Sequence, residues 1–204
     1  MSVLKVLIVG TGNIAKVHAE ALLANPSAKM VAVYDNNKAL AEQFARQFNI
    51  PKVCADIDEA VALDFDVVHV LTPPNVHYAS ALPFLRLGRK VVIEKPVGVS
   101  TQECAEMQAI AEAAGTLTAV NQNFMYSPAY LNLKREIEAG NLGPVRFVDY
   151  VYEAPLKQLA ARQFGHWMFC QPVNILLEQA VHPLSQIVDF VGNVEKCDAQ
   201  AAQG

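Results

Sequence analysis

Near its start the chain reads Gly10-Thr11-Gly12-Asn13-Ile14-Ala15, a spacing of glycines that lets backbone rather than side chains do the binding. In a GxGxxA turn the first glycine permits a tight bend and the second lets a diphosphate approach the main chain. The small third residue lets the following helix pack on its strand, and the N-terminal end of that helix faces the phosphate charge. Taken alone the hexapeptide is weak evidence. Here an apolar run precedes it, a helical pattern follows, and Asp35 stands about twenty residues further on, at the end of a second apolar run. An aspartate there accepts hydrogen bonds from ribose hydroxyls and repels a 2′-phosphate. No arginine follows in Asn36-Asn37-Lys38. NAD is therefore the expected cofactor, with NADP less favoured because Lys38 still offers a charge. The alternatives are a structural turn without nucleotide, and an Asp35 that caps the next helix, a task Asn36 or Asn37 performs equally well.

Two further sets of residues have chemistry of their own. Lys95 follows the apolar run 90–94. It is expected at the C-terminal end of a parallel strand, where open α/β sheets bind ligands. An ammonium there polarises a carbonyl or steadies an alkoxide; a solvated turn lysine is the alternative. Glu178 and His182 are four apart and share a face if the segment is helical. That pairs an acid–base imidazole with a carboxylate to orient it. Ser185 and Asp189 continue this polar stripe, beside an apolar stripe of Leu177, Val181, Leu184, Val188 and Val191 that is expected to be the buried side. Pro183 should bend or restart the helix. A packed or capping His182 remains the alternative. His18, His69 and His77 read as structural. Trp167, after His166, either borders a cleft or fills a core gap. No histidines or cysteines have zinc-ligand spacing, and neither a GxSxG elbow nor a Walker lysine occurs.

The elements that must position these groups alternate in type. Strands are expected at 3–9, 29–34, 52–55, 67–71, 90–94 and 116–121. Helices are expected at 14–24, 39–48, from 56, at 75–87 and at 101–114. That rhythm means a doubly wound parallel sheet. After residue 122 the pattern changes to a helix at 128–139, a half-buried strand at 145–152, irregular chain at 153–173, one long helix at 174–191 and the start of a strand at 195–199. The reading is thus a dinucleotide-binding domain over 1–122 and the first part of a second α/β domain over 123–204. So small a sheet cannot stand alone. The protein is expected to continue for on the order of 100 residues or more, or to have this helix covered by a partner chain.

Composition agrees with a globular protein. Of 204 residues 52% are hydrophobic and 18% charged, and 20 acidic against 16 basic residues give a net charge of −4. No basic stripe suits nucleic acid or an acidic membrane surface. Cys54, Cys104, Cys170 and Cys197 form no CxxC pair and read as buried or inert thiols of a reducing compartment, with metal binding the lesser alternative. The first apolar run is too short for a signal peptide and no later one spans a bilayer, so a cytoplasmic protein is expected.

Further motifs join the glycine turn: Thr72-Pro73-Pro74-Asn75-Val76-His77, Glu94-Lys95-Pro96, the stretch from Val120 through Asn123 and Tyr126 to Pro128, Gly140-Asn141-Leu142-Gly143-Pro144-Val145, and Glu178 to Asp189. Together they resemble the Gfo/Idh/MocA family, the glucose–fructose oxidoreductase and inositol dehydrogenase group, along essentially the whole chain. The resemblance implies a Rossmann-type doubly wound parallel sheet, followed by an α/β domain whose mostly antiparallel sheet forms the substrate floor and the oligomer interface. It implies hydride transfer between a nicotinamide and a secondary alcohol or ketone of a sugar, cyclitol or related polyol. Gly10, Gly12, Asn13, Ile14, Asp35, Thr72, Pro73, Pro74, Asn75, His77, Glu94, Lys95 and Pro96 would hold the cofactor, with Pro96 after a cis peptide. Lys95, Asn123, Tyr126, Trp167 and His182 would meet substrate. Lys95, His182 and Glu178 would be catalytic, with no metal. This chain departs from the family pattern where Glu178 and Ser185 replace the usual aspartates and where paired glycines are missing around Val173-Asn174. The competing class is a non-catalytic nicotinamide sensor or transcriptional co-regulator on the same fold.

Overall fold

The computed structural model describes residues 3–198 and 200, which fall into two compact units, 1–121 and 122–204. In the first unit, β1 (Leu4–Val9) begins the sheet with Leu-Lys-Val-Leu-Ile-Val. Its last four side chains are buried on both faces, as a central parallel strand requires. Leu7 and Val9 pack into one apolar cluster and Val6 and Ile8 into another. The other strands are β2 (Ala28–Tyr34), β3 (Val67–Val70), β4 (Lys90–Ile93) and β5 (Thr118–Val120). All pair in parallel, in the order β2-β1-β3-β4-β5. The expected strand at 52–55 is reduced to a single parallel bridge, from Val53 to Val33 of β2. The chain order reverses between β1 and β3, so the C-terminal end of β1 is the topological switch point where doubly wound sheets take their ligands.

Helices cover both faces. On one side lie α1 (Asn13–Ala24) and α2 (Lys38–Phe48). They bury Ala15, Ala19, Phe44 and Phe48 with Met30 and Val33. On the other, α3 (Ile57–Ala62), α4 (His77–Arg86) and α5 (Thr101–Ala113) cover the sheet, with Ala60, Phe84, Leu85, Met107 and Ala111 in the second cluster. A 3-10 turn, Pro74–Val76, leads into α4. Caps set the boundaries: Asn37, Asp56 and Ser100 accept from the backbone N–H three residues on. Asn37 thus caps α2, and Asp35 is left for another task.

The second unit is helical among the described residues. It holds α6 (Pro128–Glu138), two short helices α7 (Lys157–Ala160) and α8 (Trp167–Cys170), then α9 (Pro172–Gln179) and α10 (Val181–Val191). Three expectations are corrected here. Residues 145–152 form no strand, and neither do 195–198; a strand exists through its ladder, and no partner strand is present among the described residues. Residue 199 lies outside them. The long helix is two, divided at Ala180, which lets Pro183 sit in the first turn of α10, where its missing N–H costs little. The burial also reverses. His182 and Gln186 are buried on α10, and Leu184, Val188 and Val191 are exposed. The polar side is the packed one because its groups find partners. Gln186 Nε2 donates to the Phe124 carbonyl (2.8 Å), and Gln186 Oε1 accepts from the Tyr150 hydroxyl (3.0 Å).

Candidate functional site

The glycine turn is built by conflict between backbone and Cβ. Gly10 has φ +92°, and a Cβ there would lie 2.8 Å from the Leu71 carbonyl carbon and oxygen and the Thr72 nitrogen, so no side chain fits. Gly12 differs. It is the N-cap of α1 with φ −66° and no side-chain cap, and a Cβ there would meet nothing within 4 Å. The first glycine thus serves the fold, and the second leaves open space before the first N–H groups of α1, Asn13 and Ile14 among them. Helix-start N–H groups lack intrahelical acceptors and suit an anion.

Asp35 closes this turn. Its Oδ2 accepts from the Thr11 N–H (2.8 Å) and hydroxyl (2.7 Å), and its Oδ1 accepts from the Asn37 N–H (2.8 Å). A carboxylate has about four acceptor sites, so Oδ1 keeps capacity for a ribose hydroxyl. Thr11 is a residue that sequence reasoning passed over. The x of a GxGxxA turn carries no type signal, and only the fold sets it against the end of β2. These features fit a dinucleotide: an open cradle over Gly12, a helix N-terminus, and an acidic acceptor at the end of β2.

At the ends of β3 and β4 the Thr72–Pro74 segment and the Glu-Lys-Pro turn are brought together. The Lys95–Pro96 peptide is cis. His77 is fully buried, with Nδ1 2.8 Å from the Pro96 carbonyl oxygen and Nε2 2.6 Å from that of Thr72. Thr72 Oγ1 donates to Ser80 Oγ (3.4 Å). Pro73 and Asn75 are exposed and Pro74 is half-buried, as is Lys95.

Glu94 is 5% exposed and its carboxylate points inward. Oε1 accepts from His18 Nε2 (2.9 Å) and from the Asn121 amide, and Oε2 accepts from the Lys95 N–H (3.1 Å). Burial alone would push its pKa up. The hydrogen bonds from His18 and Asn121, with the charges of His18 and Lys95, outweigh that and bring it below the usual glutamate range. The ionised carboxylate can only accept, so His18 Nε2 carries a proton. His18 Nδ1 lies 3.0 Å from His69 Nδ1. Burial first, then His18, holds the pKa of His69 down to about 4 against the pull of Glu94. Glu94, expected to touch cofactor, accepts hydrogen bonds from His18, Asn121 and the Lys95 N–H, and so braces the turn that carries Lys95. His18 was read as structural; its pairing with Glu94, and the part of Asn121 in it, were missed. The available signal was that His18 shares a helical face with Ala15 and Ala19, and that His69 interrupts a run of valines.

In the second unit His182 is 7% exposed and stacks on Phe124, with ring centroids 4.1 Å apart and planes at 18°. Phe124 belongs to the 3-10 turn Asn123–Tyr126, so Asn123 and Tyr126, both exposed, lie on the segment that supports the imidazole. Glu178 is on α9 and His182 on α10, either side of Ala180. Ser185 donates to the His182 carbonyl (2.7 Å). Asp189, expected in the polar stripe with Glu178, instead accepts from Lys134 (2.6 Å) and from the Tyr130 hydroxyl. Trp167 is half-buried at the start of α8, and its carbonyl accepts from Asn174 (2.8 Å).

Residues 4–122 match the model of the Gfo/Idh/MocA family, the oxidoreductase family with an NAD-binding Rossmann fold. The chain belongs to this family. It is 29% identical over 168 residues to the scyllo-inositol 2-dehydrogenase (NAD(+)) of Bacillus subtilis (strain 168), covering 80% of this chain and 49% of that protein. Identity is also 29% over 140 residues to a scyllo-inositol 2-dehydrogenase (NADP(+)) of the same organism, with coverage of 68% and 42%. Among solved structures, scyllo-inositol dehydrogenase from Lactobacillus casei with bound NAD(H) and scyllo-inositol shares the fold. Its TM-score is 0.80 at 22% identity, over 94% of this chain and 57% of that one. This Gfo/Idh/MocA chain spans about half the length of these relatives. Among the described residues no helix is long and apolar enough to cross a membrane.

Proposed function

We propose that this chain is the cofactor-binding part of an NAD-dependent dehydrogenase or reductase acting on a secondary alcohol or ketone of a sugar, cyclitol or related polyol. The observation that carries this reading is the glycine turn, open over Gly12 and tied through Thr11 to Asp35. NAD is favoured over NADP because Asp35 places an anion where a 2′-phosphate would fall and no arginine follows it. Gly12, Asn13 and Ile14 would hold the diphosphate, and the Thr72–His77 segment and Lys95-Pro96 would border the nicotinamide. When bound, that group supplies the hydride chemistry. The chain's own residues manage the oxygen and its proton. His182 takes the hydroxyl proton in the oxidative direction and returns it in the reductive one. Glu178 orients the imidazole, and the Lys95 ammonium steadies charge on the reacting oxygen. Asn123, Tyr126 and Trp167 would contact the polyol.

On this reading the second unit is the first part of an α/β domain with a mostly antiparallel sheet, and the protein is a cytoplasmic homo-oligomer assembled through it. A second reading, a nicotinamide sensor or co-regulator without turnover, draws on Glu178 and Ser185 standing where aspartates are usual. A screen for NADH production over sugars, cyclitols and sugar acids separates the two. Turnover with any of them supports the dehydrogenase. Tight NAD binding with no reduction by any polyol sinks it in favour of the sensor.

A further inference from the structure

The ring of His77 is wholly buried between two main-chain carbonyl oxygens, Pro96 O at 2.8 Å from Nδ1 and Thr72 O at 2.6 Å from Nε2. A carbonyl oxygen only accepts, so each contact is a hydrogen bond only if the nitrogen facing it carries a proton. A neutral imidazole has one such proton and would set a bare lone pair against the lone pairs of the other carbonyl. An isolated imidazole is largely neutral above its ordinary pKa of about 6.5, so this geometry asks for something the solution side chain does not offer at neutral pH. The two carbonyls belong to different segments. Thr72 follows β3, Pro96 follows β4, and His77 opens α4.

We propose that His77 is carried as an imidazolium and serves as a positioning residue, stapling the Thr72–Pro74 segment to the Glu-Lys-Pro turn. The staple works with the Glu94 network on the same turn. Glu94 accepts from the Lys95 N–H on one side of the Lys95–Pro96 unit, and His77 holds the Pro96 carbonyl on the other. The backbone of Lys95 is thus fixed from both flanks. The effect on turnover rests on the dehydrogenase reading of the site; the protonation state does not.

The test uses the intact protein labelled with 15N-histidine, at about pH 7.5, which is above the ordinary imidazole pKa. His77→Phe and His77→Gln assign the signals, so assignment survives if one variant fails to fold. Two proton-bearing ring nitrogens at His77 support the staple, and one bare nitrogen overturns it. The same variants are then assayed with NAD and an active polyol. In His77→Phe turnover should fall roughly 10- to 100-fold, the scale of a displaced reacting group, with polyol KM nearly unchanged. His77→Gln keeps an amide donor and should recover part of the loss. Wild-type turnover in a folded His77→Phe protein overturns the proposal. A wild type that turns over no polyol sinks the dehydrogenase reading alone, and the nitrogen spectrum still decides the staple.

Discussion

Gly10 and Gly12 stand two residues apart in one motif, yet alanine at each should fail for different reasons. At Gly10 a methyl group would press on three backbone atoms at 2.8 Å, from a backbone with φ +92°. Backbone atoms at a strand end cannot swing away as a side chain would. Overpacking of this kind costs about 1–3 kcal/mol, and the positive φ adds about 1–2 kcal/mol. Gly10→Ala should therefore lose roughly 2–5 kcal/mol of unfolding free energy, with cofactor affinity falling as a consequence. At Gly12 the methyl meets nothing within 4 Å and φ is already negative. Exchanging glycine for alanine at an N-cap should cost under about 1 kcal/mol. The space it fills is the space assigned to the cofactor diphosphate, and crowding that approach should weaken NAD binding by about tenfold or more, equivalent to about 1.4 kcal/mol. Urea unfolding followed by circular dichroism and calorimetric titration with NAD measure both quantities on both variants. Wild-type affinity in Gly12→Ala would refute the cofactor placement. Wild-type stability in Gly10→Ala would refute the close approach to Leu71 and Thr72.

Cofactor choice should follow Asp35. Asp35→Ala should weaken NAD binding and narrow the gap to NADP, and an arginine at Asn36 should shift preference further; tighter binding of NADP than NAD by the wild type, seen by calorimetry, sinks the assignment. His182→Ala should leave NAD affinity nearly unchanged and lower turnover by roughly two to four orders of magnitude, the usual worth of a positioned acid–base group. Lys95→Ala should also cut turnover, and Glu178→Gln should cost less than His182→Ala because the proton carrier remains. A wild-type rate of NADH production in His182→Ala would make that histidine structural. Stability should depend on His69. Its pKa is lowered from 6.5 to about 4 in the fold, so the unfolded chain binds the proton first. The contribution of His69 is complete above about pH 6.5 and is lost as pH falls from there toward 4, by at most about 3 kcal/mol. Urea unfolding across that window should show a shallower slope in His69→Asn, which keeps a polar partner for His18 and does not titrate; an unchanged slope would mean His69 is not the group responsible.

Much of the first unit was legible in the chain because its information is local. Central parallel strands are rich in apolar residues, so Val6–Val9, and Val67–Val70 despite His69, announce themselves. A GxGxxA turn between strand and helix has few other uses, and a cap such as Asn37 marks where α2 begins. The sequence by itself therefore determined the parallel α/β sheet, the place of the glycine turn between β1 and α1, and an aspartate, Asp35, at the end of β2. The tertiary structure alone decided what depends on residues far apart in the chain. Nothing in the chain around Glu94 announced that His18, 76 residues away, and Asn121, 27 away, converge on its carboxylate. His77 gave no sign of lying between two carbonyls, since nothing in its neighbours encodes the ends of β3 and β4. On α10 the apolar stripe suggested the buried side by periodicity. Periodicity reports only that two faces differ, and which face is covered depends on what the rest of the molecule sets against it. Here Phe124 and Tyr150 cover the side of His182 and Gln186. The strand expected at 145–152 failed for the same reason: alternation prepares a segment for a sheet, but only a partner strand, a property of the tertiary structure, completes it.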